Sequence, residues 1–245
     1  MPVVRPVRPA WQPSPGRRGL SRLVEQLAEL GVEVDAQLFE LSLTHRSYAY
    51  EAGKIPSNER LEFLGDAVLQ IVVTDHIFRT YPDLAEGELA KLRASVVSAV
   101  ALADVARQLE VGPLIKLGKG EIATKGHEKR SILADTLEAV IGCVYLSAGM
   151  GGAEALISHL FQPLVSAAAE RGDYADFKTI LQERCAAAGW EAARYEHTVA
   201  GPDHDRLFTA EVVVDGRVLG TGVGPSKRRA EQIAARMAVD ELGDA

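Results

Sequence analysis

Apolar residues recur at helical spacing from about residue 20 to residue 163, and the period shortens to two only towards the C-terminus. Residues 21–30 form an amphipathic segment that stops at Gly31, a suitable C′ glycine. Residues 35–44 read as a second short helix, followed by a polar loop containing Gly53 and Pro56. The pattern then predicts one long helix over 58–81 with Asn58 as N-cap, another over 86–109, and a third over 131–147. Gly149, Gly151 and Gly152 break the chain before a helix over 153–169. After a short polar linker at 170–175, residues 176–188 are helical again. Residues 195–200, 207–214 and 218–223 alternate or run apolar with β-branched side chains and read as strands, and Asp215-Gly216 between the last two is a type I′ hairpin signal. A final helix over 226–242 starts at Ser226 as N-cap. The order predicts a largely helical body followed by a small α-β-β-β-α unit with its helices on one face of an antiparallel sheet.

Composition agrees with a packed, helix-rich chain. Of 245 residues 47% are hydrophobic and only 6% aromatic, the apolar residues being mostly Ala, Leu and Val. The two cysteines, Cys143 and Cys185, have neither a second Cys nor a His at metal-ligand spacing and read as buried free thiols, which suits a reducing cytoplasm. Residues 1–19 carry Arg5, Arg8, Arg17 and Arg18 with several prolines but no apolar signal-peptide core, and read as a disordered basic arm. No uninterrupted apolar run is long enough to span a bilayer, so no membrane partner is expected.

The informative chemistry is acidic. Glu59, Glu62 and Asp66 stand at i, i+3 and i+7 in an otherwise apolar helix, and Asp135 and Glu138 stand at i, i+3 in another. Glu86 opens the helix after Pro82. Acidic pairs at this spacing are also what a solvated helix face carries. Here both rows are hemmed by Leu, Ile, Val and Phe, where an unpaired buried carboxylate costs several kcal/mol. Two such rows facing one another would form a hard oxygen site for Mg2+ or Mn2+, suited to phosphoryl chemistry through activated water. Gly65 disfavours a helix interior by about 1 kcal/mol, and close approach of another helix would be a reason to keep it.

These blocks also carry a family likeness. Residues 58–66 (NERLEFLGD), Thr44-His45-Arg46-Ser47, Glu86-Gly87, Lys91-Leu92-Arg93-Ala94 and residues 131–138 (SILADTLE) resemble, in order, the signature of the ribonuclease III family. The resemblance implies an all-α endonuclease domain (20–169) and, over 176–245, an α+β double-stranded RNA-binding domain. It implies a homodimer that hydrolyses duplex RNA with Mg2+, Mn2+ serving as substitute, and leaves 5′-phosphate and 3′-hydroxyl ends. The substrates it implies are ribosomal and messenger RNA precursors. Carried over position by position, Glu62, Asp66, Asp135 and Glu138 resemble the metal-binding carboxylates, with Asp66 and Glu138 most directly tied to hydrolysis. Glu59 and Glu86 resemble outer acidic residues that help hold the scissile strand. Phe63, which by pattern alone reads as core, resembles an aromatic knob that packs into the partner subunit.

In the C-terminal unit, Gln182 and His204 resemble minor-groove contacts, and Lys227 and Arg228 resemble phosphate contacts at a helix N-terminus. Residues 220–224 (GTGVG) do not fit a phosphate-binding G-x-x-x-x-G-K-[ST] loop, so no nucleotide cofactor is expected. A net charge of −7 runs against a nucleic-acid partner, but local patches rather than totals decide binding. Asp203, Asp205 and Glu231 flank the RNA surface, so this domain alone is expected to bind modestly and with strong salt dependence. The alternative to a nuclease is a dimeric duplex-RNA binder with a silent nuclease domain.

Overall fold

The structure, a computed structural model, describes residues 21–172, 174–202 and 206–243. The basic arm at 1–19 and His204, Asp203 and Asp205 therefore lie outside the described residues. The chain divides into two compact units between Tyr174 and Ala175.

The first unit is helical. It comprises α1 (Arg22–Glu29), α2 (Ala36–Ser42), α3 (Arg46–Glu51), α4 (Glu59–Thr80), α5 (Glu86–Val96), α6 (Ala99–Gln108), α7 (Lys119–Ala123) and α8 (Arg130–Glu170). Helix α8 is the axis of the core. It packs against α4, α6, α2 and α5, and buries Leu133, Leu137, Val140, Ile141 and Val144, then Leu156, Ile157 and Phe161. By length and apolar content α8 is also long enough to cross a bilayer, against the expectation from run length. It is instead the central helix of this core, its apolar side chains packed against α2, α4, α5 and α6.

Several expected elements are redrawn by local chemistry. The helix expected over 86–109 is two, because Val97 leaves helical geometry and Ser98 is extended, its Oγ accepting the Ala101 N–H at 3.4 Å. A serine after two valines offers the backbone a cap in place of another helical turn. The helices expected over 131–147 and 153–169 are one run with a single non-helical residue, Gly149, at φ 73°. Asn58 precedes α4 as expected but does not cap it. The residue is 2% exposed and its Nδ2 donates to the Ser42 carbonyl at 3.2 Å, while its N–H donates to the Thr44 carbonyl at 2.9 Å. The asparagine thus pins the start of α4 to the α2–α3 connection. The short helices α3 and α7 were not visible as periodicity; each is under two turns long.

The contact between α4 and α8 sets the distance between the two acidic rows. Gly65 of α4 lies on the backbone of α8, where an added Cβ would collide with the Glu138 carbonyl and come within 2.9 Å of the Gly142 nitrogen. Reciprocally, a Cβ on Gly142 would collide with the Leu61 carbonyl and come within 3.2 Å of the Gly65 nitrogen. Two glycines facing each other let the helix backbones touch, and the helical cost of Gly65 is offset by that approach.

The second unit holds α9 (Phe177–Ala188), β1 (Arg194–Ala200), β2 (Leu207–Val214), β3 (Arg217–Gly224) and α10 (Lys227–Leu242). The strands form an antiparallel sheet in the order β1-β2-β3, with Tyr195 opposite Val212 and a register shift between Val212 and Val213. The hairpin has positive φ at both turn residues, 47° at Asp215 and 74° at Gly216, as a type I′ turn requires. Helix α10 lies across β3 and β2 and against α9 through Ala230, Ala234, Ala235 and Ala238, which meet Leu181, Cys185, Ala210 and Val212 in a separate core. Cys143 and Cys185 are both buried free thiols.

The interhelix contact yields a stability prediction. Gly142→Ala should destabilise the helical unit by about 2 kcal/mol through overpacking. Urea or thermal unfolding of the full chain, followed by a probe in the helical unit, checks this; an unchanged midpoint would refute the close approach.

Candidate metal centre and nucleic-acid interface

Because α4 and α8 touch at Gly65 and Gly142, Glu62 one turn before Gly65 meets Glu138 and Asp135, one and two turns before Gly142. Glu62, Asp135 and Glu138 each bring a ligand oxygen to within 4.8 Å of the others. Asp66, one turn further along α4, does not join that group. It is exposed, and Gln70 Nε2 donates to its Oδ1 at 3.3 Å. Its charge still reaches both Glu62 and Glu138. Glu59 begins α4 at the rim, where it accepts from Ser57 Oγ at 2.6 Å and lies 3.9 Å from Arg46 Nη1. Glu86 is exposed at the first position of α5 and makes no hydrogen bond or ion pair with these residues among the described residues.

Burial and like charge dominate the electrostatics of this pocket. Burial, then the charges of Asp66, Asp135 and Glu62, push the Glu138 carboxyl up to about 8. Burial also raises Glu62, with Asp135 and Glu59 adding to it, and burial raises Asp135 against the opposing pull of His45 and Arg46. Like charges at these distances cannot all ionise cheaply unless a positive ion is placed among them. The donor set is all carboxylate oxygen, which fits a hard divalent cation, and the two helices supply ligands from opposite sides.

A second feature beside the pocket lies in the sequence block 44–47. His45 is the N-cap of α3, and its Nδ1 accepts the Ser47 N–H at 3.2 Å and lies 2.8 Å from Ser47 Oγ. Ser47 Oγ in turn accepts the Gly118 N–H at 2.9 Å. Thr44 and Lys116 form a parallel bridge, so this short stretch ties α3 and the start of α4 to the loop that leads to α8. No periodicity could signal this, because the partners are loop backbone.

Phe63 does not pack in the core. It is 82% exposed, and Ile71 (55%) and Phe78 (67%) follow it at i+8 and i+15 along α4. Its neighbours Leu61, Leu69, Val73 and Ile77 face inward. Helix α4 is therefore apolar on two sides, one buried and one open.

In the second unit, Lys227 and Arg228 are exposed at the first turn of α10, with Ser226 Oγ capping the Arg229 N–H at 3.3 Å. Gln182 is exposed on α9, and its Nε2 donates to the Ala193 carbonyl at 3.0 Å. Glu231 differs from expectation. Rather than standing as a free repulsive charge, it accepts from Lys178 Nζ and His197 Nε2, both at 2.7 Å. Burial pulls its carboxyl upward, and these two hydrogen bonds outweigh that and hold it below the ordinary value. Lys178 also lies 4.8 Å over the ring of Tyr195.

Comparison with known proteins falls along the same division. Residues 35–164 match the family model described as ribonuclease-III-like, and residues 177–242 match that of the double-stranded RNA binding motif. The chain is 54% identical over 209 residues to Ribonuclease 3 of Streptomyces coelicolor, covering 85% of this chain and 76% of that protein. It is equally similar, at 54%, to Ribonuclease 3 of Thermobifida fusca, covering 87% of that protein. Among solved structures, the nuclease domain of ribonuclease III from Campylobacter jejuni matches with a TM-score of 0.53 and 38% identity, over 60% of this chain and 96% of that one. A second structure of the C. jejuni domain, described for flexibility in a region involved in dimer formation, matches at 0.51 and 40% over 56% of this chain and 97% of that one.

The raised Glu138 carboxyl gives a signed pH prediction. Between the ordinary value of 4.5 and about 8 the folded chain holds a proton there that the unfolded chain has released, so this group's stabilising contribution is lost as pH rises through that window. Glu138→Gln, which cannot ionise, should gain melting temperature relative to wild type as metal-free buffer is taken from pH 5 to pH 8. A difference independent of pH would contradict it.

Proposed function

The chain belongs to the ribonuclease III family, and from that premise we propose that its pocket of Glu62, Asp66, Asp135 and Glu138 is the centre at which this double-strand-specific endoribonuclease cuts RNA with Mg2+. The observation that carries the reading is the convergence of Glu62, Asp135 and Glu138 from two helices, with Glu138 shifted to about 8 by burial and then by its acidic neighbours.

Glu62, Asp135 and Glu138 would hold the ion, with Asp66 completing the set from the open side. Bound there, Mg2+, or Mn2+ in its place, supplies an activated water and stabilises charge on the leaving oxygen of an in-line displacement. Asp66 is solvent-exposed and Glu138 is the most strongly shifted carboxyl, and these two are assigned to the hydrolytic step. Glu138 keeps or releases a proton near neutral pH, so ion binding and its deprotonation are linked. Glu59 and Glu86 are assigned to positioning the scissile strand from the rim. The products are a 5′-phosphate and a 3′-hydroxyl.

The RNA-binding unit brings the duplex. Lys227 and Arg228 stand at a helix N-terminus, where free N–H groups and the positive end of the dipole favour phosphate. Gln182 offers its carbonyl to a 2′-hydroxyl in the minor groove. His204, outside the described residues, is kept as a second minor-groove contact. The engagement of Glu231 by Lys178 and His197 removes one of the repulsive charges from this surface. The open stripe of Phe63, Ile71 and Phe78 is assigned to a homodimer, in which each subunit's pocket cuts one strand. Ribosomal and messenger RNA precursors in the cytoplasm are the proposed substrates.

Two measurements test this. Labelled duplex RNA should be cut to short fragments with Mg2+ and held as an uncut complex with Ca2+, and Glu138→Ala should abolish cutting while leaving the Ca2+ complex intact. Retained turnover in Glu138→Ala, or a stable uncut complex with Mg2+ as well as with Ca2+ in the wild type, would defeat the assignment. Phe63→Asp should shift the chain from dimer to monomer by light scattering at micromolar concentration; a persistent dimer would place the interface elsewhere.

A further inference from the structure

His45 stands beside the acidic pocket, yet its ring is bonded on one side only. The residue is 9% exposed. Its N–H donates to the Lys116 carbonyl at 3.2 Å and its carbonyl accepts the Ala49 N–H at 3.0 Å, so the backbone on both sides is fixed. The preceding carbonyl, of Thr44, accepts the N–H of Asn58, which sets His45 against the first turn of α4, the turn carrying Glu59 and Glu62.

Nδ1 accepts the Ser47 N–H. Ser47 Oγ, already accepting from Gly118, has its own proton to give to Nδ1. With two donors aimed at Nδ1, the neutral ring carries its proton on Nε2. Nε2 makes no hydrogen bond or ion pair among the described residues. Nor is it shut from solvent: among described side-chain N and O atoms that are fully buried, only Ser21 Oγ and Tyr195 Oη lack a partner. Burial lowers the ring's pKa and keeps it neutral; the charges it feels are those of Glu121, Arg46, Asp135 and Glu59, of which Asp135 belongs to the pocket and Glu59 to its rim, and none of them hydrogen-bonds the imidazole among the described residues.

A rigid, neutral N–H donor is thus held at the edge of a cluster of carboxylates without a partner of its own. We propose that the Nε2–H of His45 donates a hydrogen bond to a backbone oxygen of the RNA strand held at the acidic pocket. This rests on the pocket's being the cutting site. The acceptor chemistry is a ribose-phosphate oxygen, either a non-bridging phosphate oxygen or a 2′-hydroxyl. A carboxylate cannot fill this role, since it has no proton to give. A neutral imidazole adds no positive charge to compete with the metal, and the Ser47–Gly118 contacts fix its direction.

The test separates capping from donation. In His45→Asn the side-chain oxygen replaces Nδ1 as the acceptor for Ser47 N–H, and asparagine is among the best N-caps, but no N–H remains where Nε2 was. His45→Gln forfeits the cap geometry and restores an amide N–H near the Nε2 position. Single-turnover cleavage of duplex RNA in saturating Mg2+, affinity in Ca2+ and melting temperature are measured for both. Expected is a loss of about ten-fold or more in the cleavage rate of His45→Asn at unchanged melting temperature, with part of the rate regained in His45→Gln. A wild-type rate in His45→Asn overturns the proposal, as do equal losses in both variants that follow melting temperature.

Substrates bearing a 2′-deoxy or a phosphorothioate substitution near the cut then name the acceptor. The substitution whose penalty disappears in the His45→Asn background marks it, and persistence of both penalties overturns the proposal. Glu138→Gln is run alongside. If it still cuts at the wild-type rate, the pocket reading falls and this proposal with it. If it is inert while His45→Asn is unimpaired, only the role of His45 is lost.

Discussion

The backbone contact between α4 and α8 at Gly65 and Gly142 is the constraint on which the site depends. Each glycine would meet the other helix's backbone if it carried a Cβ. With side chains in the way, Glu62 on one helix and Asp135 and Glu138 on the other would stand farther apart, and no single ion could reach all three. The contact also buries the three carboxyls and concentrates like charge: burial raises Glu62, Asp135 and Glu138, and acidic neighbours raise Glu62 and Glu138 further. The apolar core around α8 provides the stabilisation that lets the helices stay there. Folding and ion affinity are in this sense opposed, since a more relaxed crossing would relieve the carboxylates and leave them unable to act together.

Much of this was legible in the sequence because it lies on regular elements. Acidic residues at i, i+3 and i+7 share a helix face whatever the tertiary structure, and an aspartate-glycine pair between strands leaves few turn types open. The glycine in the middle of α4 carried its own explanation, since a residue that weakens a helix is kept only for what it permits. What escaped was set by three-dimensional partners. Asn58 has the chemistry of a cap, but its amide is drawn to Ser42. The split between α5 and α6 turns on one serine following two valines, which a periodicity template reads through. Phe63 fits the apolar pattern of α4, and pattern alone cannot say which of two apolar sides faces out. Asp66 is in register with Glu62 along the helix, yet it is exposed and falls outside the tight group of Glu62, Asp135 and Glu138. Glu231 read as a repulsive charge because its partners come from 34 and 53 residues away.

The chain's negative balance and its nucleic-acid partner are reconciled by location. Part of the acidity gathers where a divalent cation would offset it, and within the RNA-binding unit Glu231 is paired with Lys178 and hydrogen-bonded by His197. What remains near α10 is a short basic turn whose effect does not depend on the total. The units have separate cores, so each can be tuned alone, the sheet and α10 for grip and the helical unit for chemistry.

The open stripe on α4 has a consequence for how activity varies with copy number. Phe63 adjoins Glu62, so the rod that carries pocket ligands also carries the surface assigned to self-association. A protomer on its own would leave that rod unsupported along one flank. Output per chain would then fall with dilution, and scarcity alone would act as a brake on RNA turnover, with no inhibitor needed.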